Sequence, residues 1–195
     1  NIQKGILEIS QNEEPFDVFI CYKETDERGR RTHDSVLAND LYHQLTQEGF
    51  KVFFSRITLE DKLGTAYEPY IFAALNSAKI MVVIGTKPEY FNAVWVKNEW
   101  VRFLAQIKNG VDKILIPAYK DMDPYDLPEE FSNLQAQDMS KLGFMQDLIR
   151  GVKKIVGSEE QNTVVTHESY KDSNNSALLK RIGLFLEDGA WAQAD

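Results

Sequence analysis

The sequence predicts a doubly wound α/β domain, a five-stranded parallel sheet flanked by helices with a short C-terminal helical extension. Two observations carry the prediction. Four short runs are almost continuously apolar, which suits strands covered on both faces; a half-exposed antiparallel strand would alternate. The stretches between them are long enough for crossovers and carry helical spacing, so strand and helix alternate along the chain.

The first run, "FDVFICY" at 16–22, has six apolar or aromatic residues in seven. "KVFF" at 51–54, "IMVVIG" at 80–85 and "KILIPAY" at 113–119 follow, and "QAQDMS" at 135–140 is a weaker fifth strand. The intervening helices are "SVLANDLYHQLTQEG", "AYEPYIFAALNSA" and "EYFNAVWVKNEWVRFLAQIKNG"; Gly49 and Gly110 serve as C-terminal stops. "FMQDLIRGVKKIV" at 144–156 reads as the last helix. The domain is therefore expected over 14–156, after an upstream segment ending at 1–13. A polar linker follows at 157–175, and an amphipathic helical unit begins at 176–195. The chain starts at Asn1, as expected of a piece of a larger protein.

Composition narrows the function classes. Hydrophobic residues make up 43% and charged residues 27% of 195, close to the globular average. With 22 basic against 30 acidic side chains the formal charge is -8, which disfavours nucleic acid and anionic lipid as partners. Cys21 is the single cysteine, which excludes an internal disulfide and a cysteine-based zinc cluster and suits a cytoplasmic setting. His33, His43 and His167 have no metal-ligand spacing, so no metal is expected. No signal peptide or membrane-spanning run is visible.

In open α/β sheets ligands bind beyond the carboxyl ends of the strands, where the strand order reverses. A flavodoxin-like order puts that crevice between the first and third strands. The loop after the third strand leads into "VWVKNEW" at 94–100. At about 100° per residue, Val96, Trp100, Phe103 and Ile107 form an apolar stripe, with Trp95, Glu99, Arg102 and Gln106 on its flank. Two readings fit that spacing. Glu99 is either a partly desolvated acid beside the Trp95 indole at the crevice, or the partner of Arg102 on a helix that Trp95 anchors. Glu68, near Pro69, reads as a favourable charge at a helix start.

Three segments in order, "FDVFICYK", "GFKVFFSRITLEDKLG" and "NSAKIMVVIG...YFNAVWVKNEW", resemble the Toll/interleukin-1 receptor (TIR) domain family, above all TIR segments of larger bacterial multidomain proteins. The resemblance spans most of 14–156. It implies an NAD+ glycohydrolase that cleaves the nicotinamide–ribose bond to give nicotinamide and ADP-ribose or a cyclic isomer, in bacterial immune or stress signalling. On that reading NAD+ is substrate, no separate cofactor is required, and partners are other TIR domains. Glu99 falls on the catalytic glutamate. Trp95, Tyr22, Lys23 and Ser55 fall on substrate-facing positions, and Leu63 with Gly64 on the BB loop used in assembly. The sequence departs from the family pattern at Lys23, where Arg is commoner, at Leu63 in place of Pro, and at Cys21 in place of a common Ser; Cys21 is expected to pack in the core. The alternative the resemblance leaves open is a non-catalytic adaptor that recruits other TIR domains.

Overall fold

The computed structural model describes residues 2–55 and 67–157. Along the chain run α1 (Ile2–Asn12), β1 (Val18–Cys21), α2 (His33–Gln47), β2 (Val52–Phe53), α3 (Tyr67–Ser77), β3 (Ile80–Gly85), α4 (Pro88–Phe91), α5 (Val94–Lys108), β4 (Ile114–Tyr119) and β5 (Gln137–Asp138). A further helix, α6, runs over 144–157. The chain divides into two compact units, Asn1–Val152 and Lys153–Asp195. Of the second, residues 153–157 are described, and they are helical. The expected linker and C-terminal helical unit otherwise lie outside the described residues, as do Leu63 and Gly64.

The strands pair in the order β2-β1-β3-β4-β5, all parallel, so the order reverses between β1 and β3. All six residues of β3 and all four of β1 are buried, as their unbroken apolar runs require. Alternation along the strands sorts them onto two faces. Phe19, Cys21, Phe53, Met81, Val83 and Leu115 join one core with Tyr70, Leu75, Val96, Trp100 and Phe103 from α3 and α5. The opposite parity meets α2, whose Ala38, Leu41 and Leu45 are fully buried. β5 is short: its ladder begins at Ala118, one residue after Pro117, which has no N–H to give.

Local chemistry fixes the ends of the helices. Thr32 caps α2 by accepting from Ser35 N at 3.1 Å, and Gly49 and Gly110 close α2 and α5 in the left-handed region at φ +89° and +86°. Lys113 donates to the Leu75 and Asn76 carbonyls at 3.0 and 2.6 Å, which serves the end of α3.

One expectation is corrected. The stretch 89–110 is two helices, not one, interrupted at Asn92–Ala93. Phe91 ends α4 and turns its ring onto the end of β3. A Cβ at Gly85 would meet that ring at 2.1 Å, so only glycine fits beneath it. The Trp100 indole then donates to the Phe91 carbonyl at 2.8 Å and takes up a group freed by the break.

Candidate functional site

The reversal between β1 and β3 brings three segments together: the end of β1, the start of α2 and the loop that leads from β3 through α4 into α5. Parity puts Cys21, the last residue of β1, on the α5 side of the sheet. Its side chain is 0% exposed, and Sγ lies 3.5 Å from the Val96 carbonyl. Burial, and after it the charge of Glu99 one turn further along α5, raises the thiol's pKa well above its ordinary value.

Glu99 is half-buried on the flank of the Val96–Trp100–Phe103 stripe. Desolvation pushes its carboxyl up to about 7, and the nearby Cys21 side chain pulls the other way. Glu99 therefore sits against the sheet and does not pair with Arg102, whose guanidinium stacks 3.9 Å from the Phe72 ring centroid. Trp95 is 60% exposed, which rules it out as a packing anchor; its neighbour Val94 is 80% exposed. An exposed indole one turn before Glu99 leaves a flat face open for a ring.

The other predicted positions stand around the end of β1. Tyr22 is 7% exposed, its ring stacked on Phe54 at 5.2 Å. Its hydroxyl donates to Glu24 Oε2 at 2.5 Å and lies 3.3 Å from Ser55 Oγ. Tyr22 and Ser55 are thus brought together across β1 and β2, with Tyr22 acting as a strut. Lys23 is half-buried, and its carbonyl accepts from the Thr32 hydroxyl. The charged loop beyond it organises itself. Asp26 accepts from Arg28 N and Arg30 N at 2.9 Å and pairs with the Arg30 guanidinium at 2.9 Å, around Gly29 at φ +72°.

Two features escaped sequence reasoning. One is the contact of the Cys21 thiol with the Val96 carbonyl of α5, for which the alternation along β1 was the available signal. The other is Asp34, in the first turn of α2 and 0% exposed. Its Oδ1 accepts from Thr86 N at 2.9 Å and from Thr86 Oγ1 at 2.6 Å, which ties α2 to the exit of β3. Oδ2 is buried without a partner, and burial raises the carboxyl to about 6. Described residues also line cavities. One of about 140 Å³ is bounded by α1 and α3, and one of about 590 Å³ by the segment 124–136. No described helix is long and apolar enough to cross a membrane.

A family profile described as TIR domain matches residues 18–155. The chain belongs to the TIR domain family. Solved structures agree in fold. The TIR domains of the activated Roq1 resistosome directly recognizing the pathogen effector XopQ are 18% identical, with a TM-score of 0.53 over 72% of this chain and 99% of that one. A metazoan TIR-STING receptor from C. gigas in complex with 2',3'-cGAMP is also 18% identical, with a TM-score of 0.54 over 70% of this chain and 39% of the receptor. At such identities the likeness is one of fold. No curated protein sequence matches the chain. Among the described residues, the TIR profile thus covers the β1–β3 reversal, Asp34, Trp95 and Glu99, and leaves α1 outside.

Proposed function

We infer that this TIR domain is an NAD+ glycohydrolase with Glu99 as its reacting-site carboxylate. The supporting observation is the placement of Glu99: desolvated against the end of β1, beside the strand reversal, without a cation to neutralise it among the groups that shift it. Breaking the nicotinamide–ribose bond leaves an oxocarbenium-like ribose. A carboxylate in a low-dielectric wall stabilises that charge better than one in water and can hold the ribose hydroxyls. Nicotinamide leaves as a neutral ring from a cationic one, so the step needs no proton donor, and one acid suffices. Trp95 offers its exposed indole to a ring, and Lys23 a positive charge to a phosphate. The anionic form of Glu99 is the working one, so kcat/KM rises with pH through about 7 in the free protein. Water as acceptor gives ADP-ribose; attack by the adenine end gives a cyclic isomer. In keeping with the family resemblance, we place this chemistry in bacterial immune or stress signalling in the cytoplasm.

The test is nicotinamide release from concentrated NAD+, followed by chromatography, for the full chain and for Glu99→Gln. Loss of release in the variant is expected; equal release from both overturns the role of Glu99. The neighbouring exposed Val94 and Trp95 favour a second reading, a TIR–TIR adaptor surface. Concentration-dependent association on size exclusion with no nicotinamide release at any protein concentration would favour it.

A further inference from the structure

The exit of β3 is gripped from two sides. From α2, Asp34 Oδ1 accepts from Thr86 N at 2.9 Å and from Thr86 Oγ1 at 2.6 Å, so one oxygen fixes both the backbone and the side chain of the residue that follows β3. From α4, the Phe91 ring takes the place that a Cβ on Gly85 would fill, 2.1 Å away. The two contacts hold successive residues. Phe91 passes the constraint on: its carbonyl accepts from the Trp100 indole at 2.8 Å, and Trp100 is the residue after Glu99. One turn before Trp100, the Val96 carbonyl lies 3.5 Å from Cys21 Sγ at the end of β1. Asp34, Phe91 and Trp100 are all 0% exposed, and a close-packed interior transmits a displacement along such a chain of contacts because it has no void to absorb it.

The helix that carries Asp34 has no need of a buried carboxylate there. Thr32 already caps α2 by accepting from Ser35 N at 3.1 Å. A buried carboxyl whose Oδ2 has no partner among the described residues is destabilising, so the residue is explained by what Oδ1 holds.

We propose that Asp34 is a positioning residue for the candidate site: through Thr86 it sets how the chain leaves β3, and through Phe91 and Trp100 it sets where the turn of α5 that bears Glu99 meets the sheet. The proposal rests on the reading of Glu99 as the reacting-site acid and names what places that acid. Asp34 acts through its neighbours and not on the substrate.

The experiment follows the Trp100 indole N–H signal by 1H–15N correlation NMR in the full chain, identified as the indole signal that survives in both Trp95→Phe and Trp191→Phe. It is repeated in Asp34→Ala, which deletes both bonds to Thr86, in Asp34→Asn, which keeps an oxygen for them, and in Leu45→Ala, which loosens α2 at a buried position away from Thr86. Alanine at 34 is expected to move the Trp100 signal, while Asp34→Asn and Leu45→Ala leave it near its original place. A signal unmoved in Asp34→Ala, or moved as far in Leu45→Ala, overturns the proposal. If Asp34→Ala does not fold, Thr86→Val decides: it deletes one of the two bonds, and the proposal requires that it move the signal. Where NAD+ is cleaved, Asp34→Ala lowers kcat by about 10- to 100-fold with KM changed far less, Asp34→Asn recovers most of the loss, and Leu45→Ala, assayed while folded, shows no such loss. A Trp100 signal that moves as expected while no protein cleaves NAD+ would uphold the positioning and remove the functional reading. Cleavage that depends on Glu99 but is indifferent to Asp34→Ala would do the reverse.

Discussion

At the scale of single residues, the acid at the site is in tension with the fold that holds it. Glu99 has a folded pKa near 7 against an ordinary 4.5, with burial as the main cause. The folded chain therefore binds that proton more readily than the unfolded one. The sign follows from linkage: the position costs nothing below about pH 4.5, and stability falls as pH rises from there through 7. Glu99→Gln removes the charge and keeps the shape. It should raise the urea midpoint at pH 8, by at most about 3 kcal/mol in unfolding free energy, and leave it nearly unchanged at pH 5. An equal gain at both pH values would mean that packing, and not ionisation, separates the two proteins. A group retained at such a cost fits a task that needs the charge.

Between elements, the site depends on a latch. Asp34 at the start of α2 and Thr86 at the exit of β3 are joined by two hydrogen bonds through one carboxylate oxygen, while the other oxygen is buried without a partner. The latch fixes where the chain leaves β3, hence where α4 and α5 begin and where Glu99 arrives. Burial raises Asp34 to about 6 and both Thr86 bonds lower it, so they favour the ionised form. Thr86→Val deletes the hydroxyl and keeps the backbone bond. The loss should reach about 1–3 kcal/mol at pH 8, where Asp34 is charged, and shrink at pH 5, where it is mostly protonated. Urea unfolding at the two pH values measures it; a loss independent of pH would show that the hydroxyl serves packing alone.

Over the whole molecule, what could be read from the chain divides along a physical line. The strands were legible because burial on both faces imposes unbroken apolar runs, and the reversal beside β1 followed from their alternation with helices. The flank position of Glu99 followed from helical spacing. The Asp34–Thr86 latch and the bond from the Cys21 thiol to the Val96 carbonyl were not legible: each joins groups far apart in sequence, and propensity carries no information about such pairs. The break at Asn92–Ala93 was hidden because apolar spacing continues through it, and the tertiary packing of Phe91 and Trp100 overrides it. The same division bears on α1, which lies outside the TIR profile yet packs across α3. Gly5 allows that approach, since a Cβ there would meet Pro69 at 3.3 Å. The seam is loose: α1 buries no residue fully, and a cavity of about 140 Å³ remains between Ile9, Phe16, Tyr70 and Ala73. Removing residues 1–13 should therefore cost only about 1–2 kcal/mol, because partly buried Ile9 is the main apolar side chain that α1 lays on the core and the sheet keeps its other covering helices. Urea unfolding of the truncated chain should stay cooperative with a lowered midpoint. Loss of the cooperative transition would instead make α1 part of the folding unit.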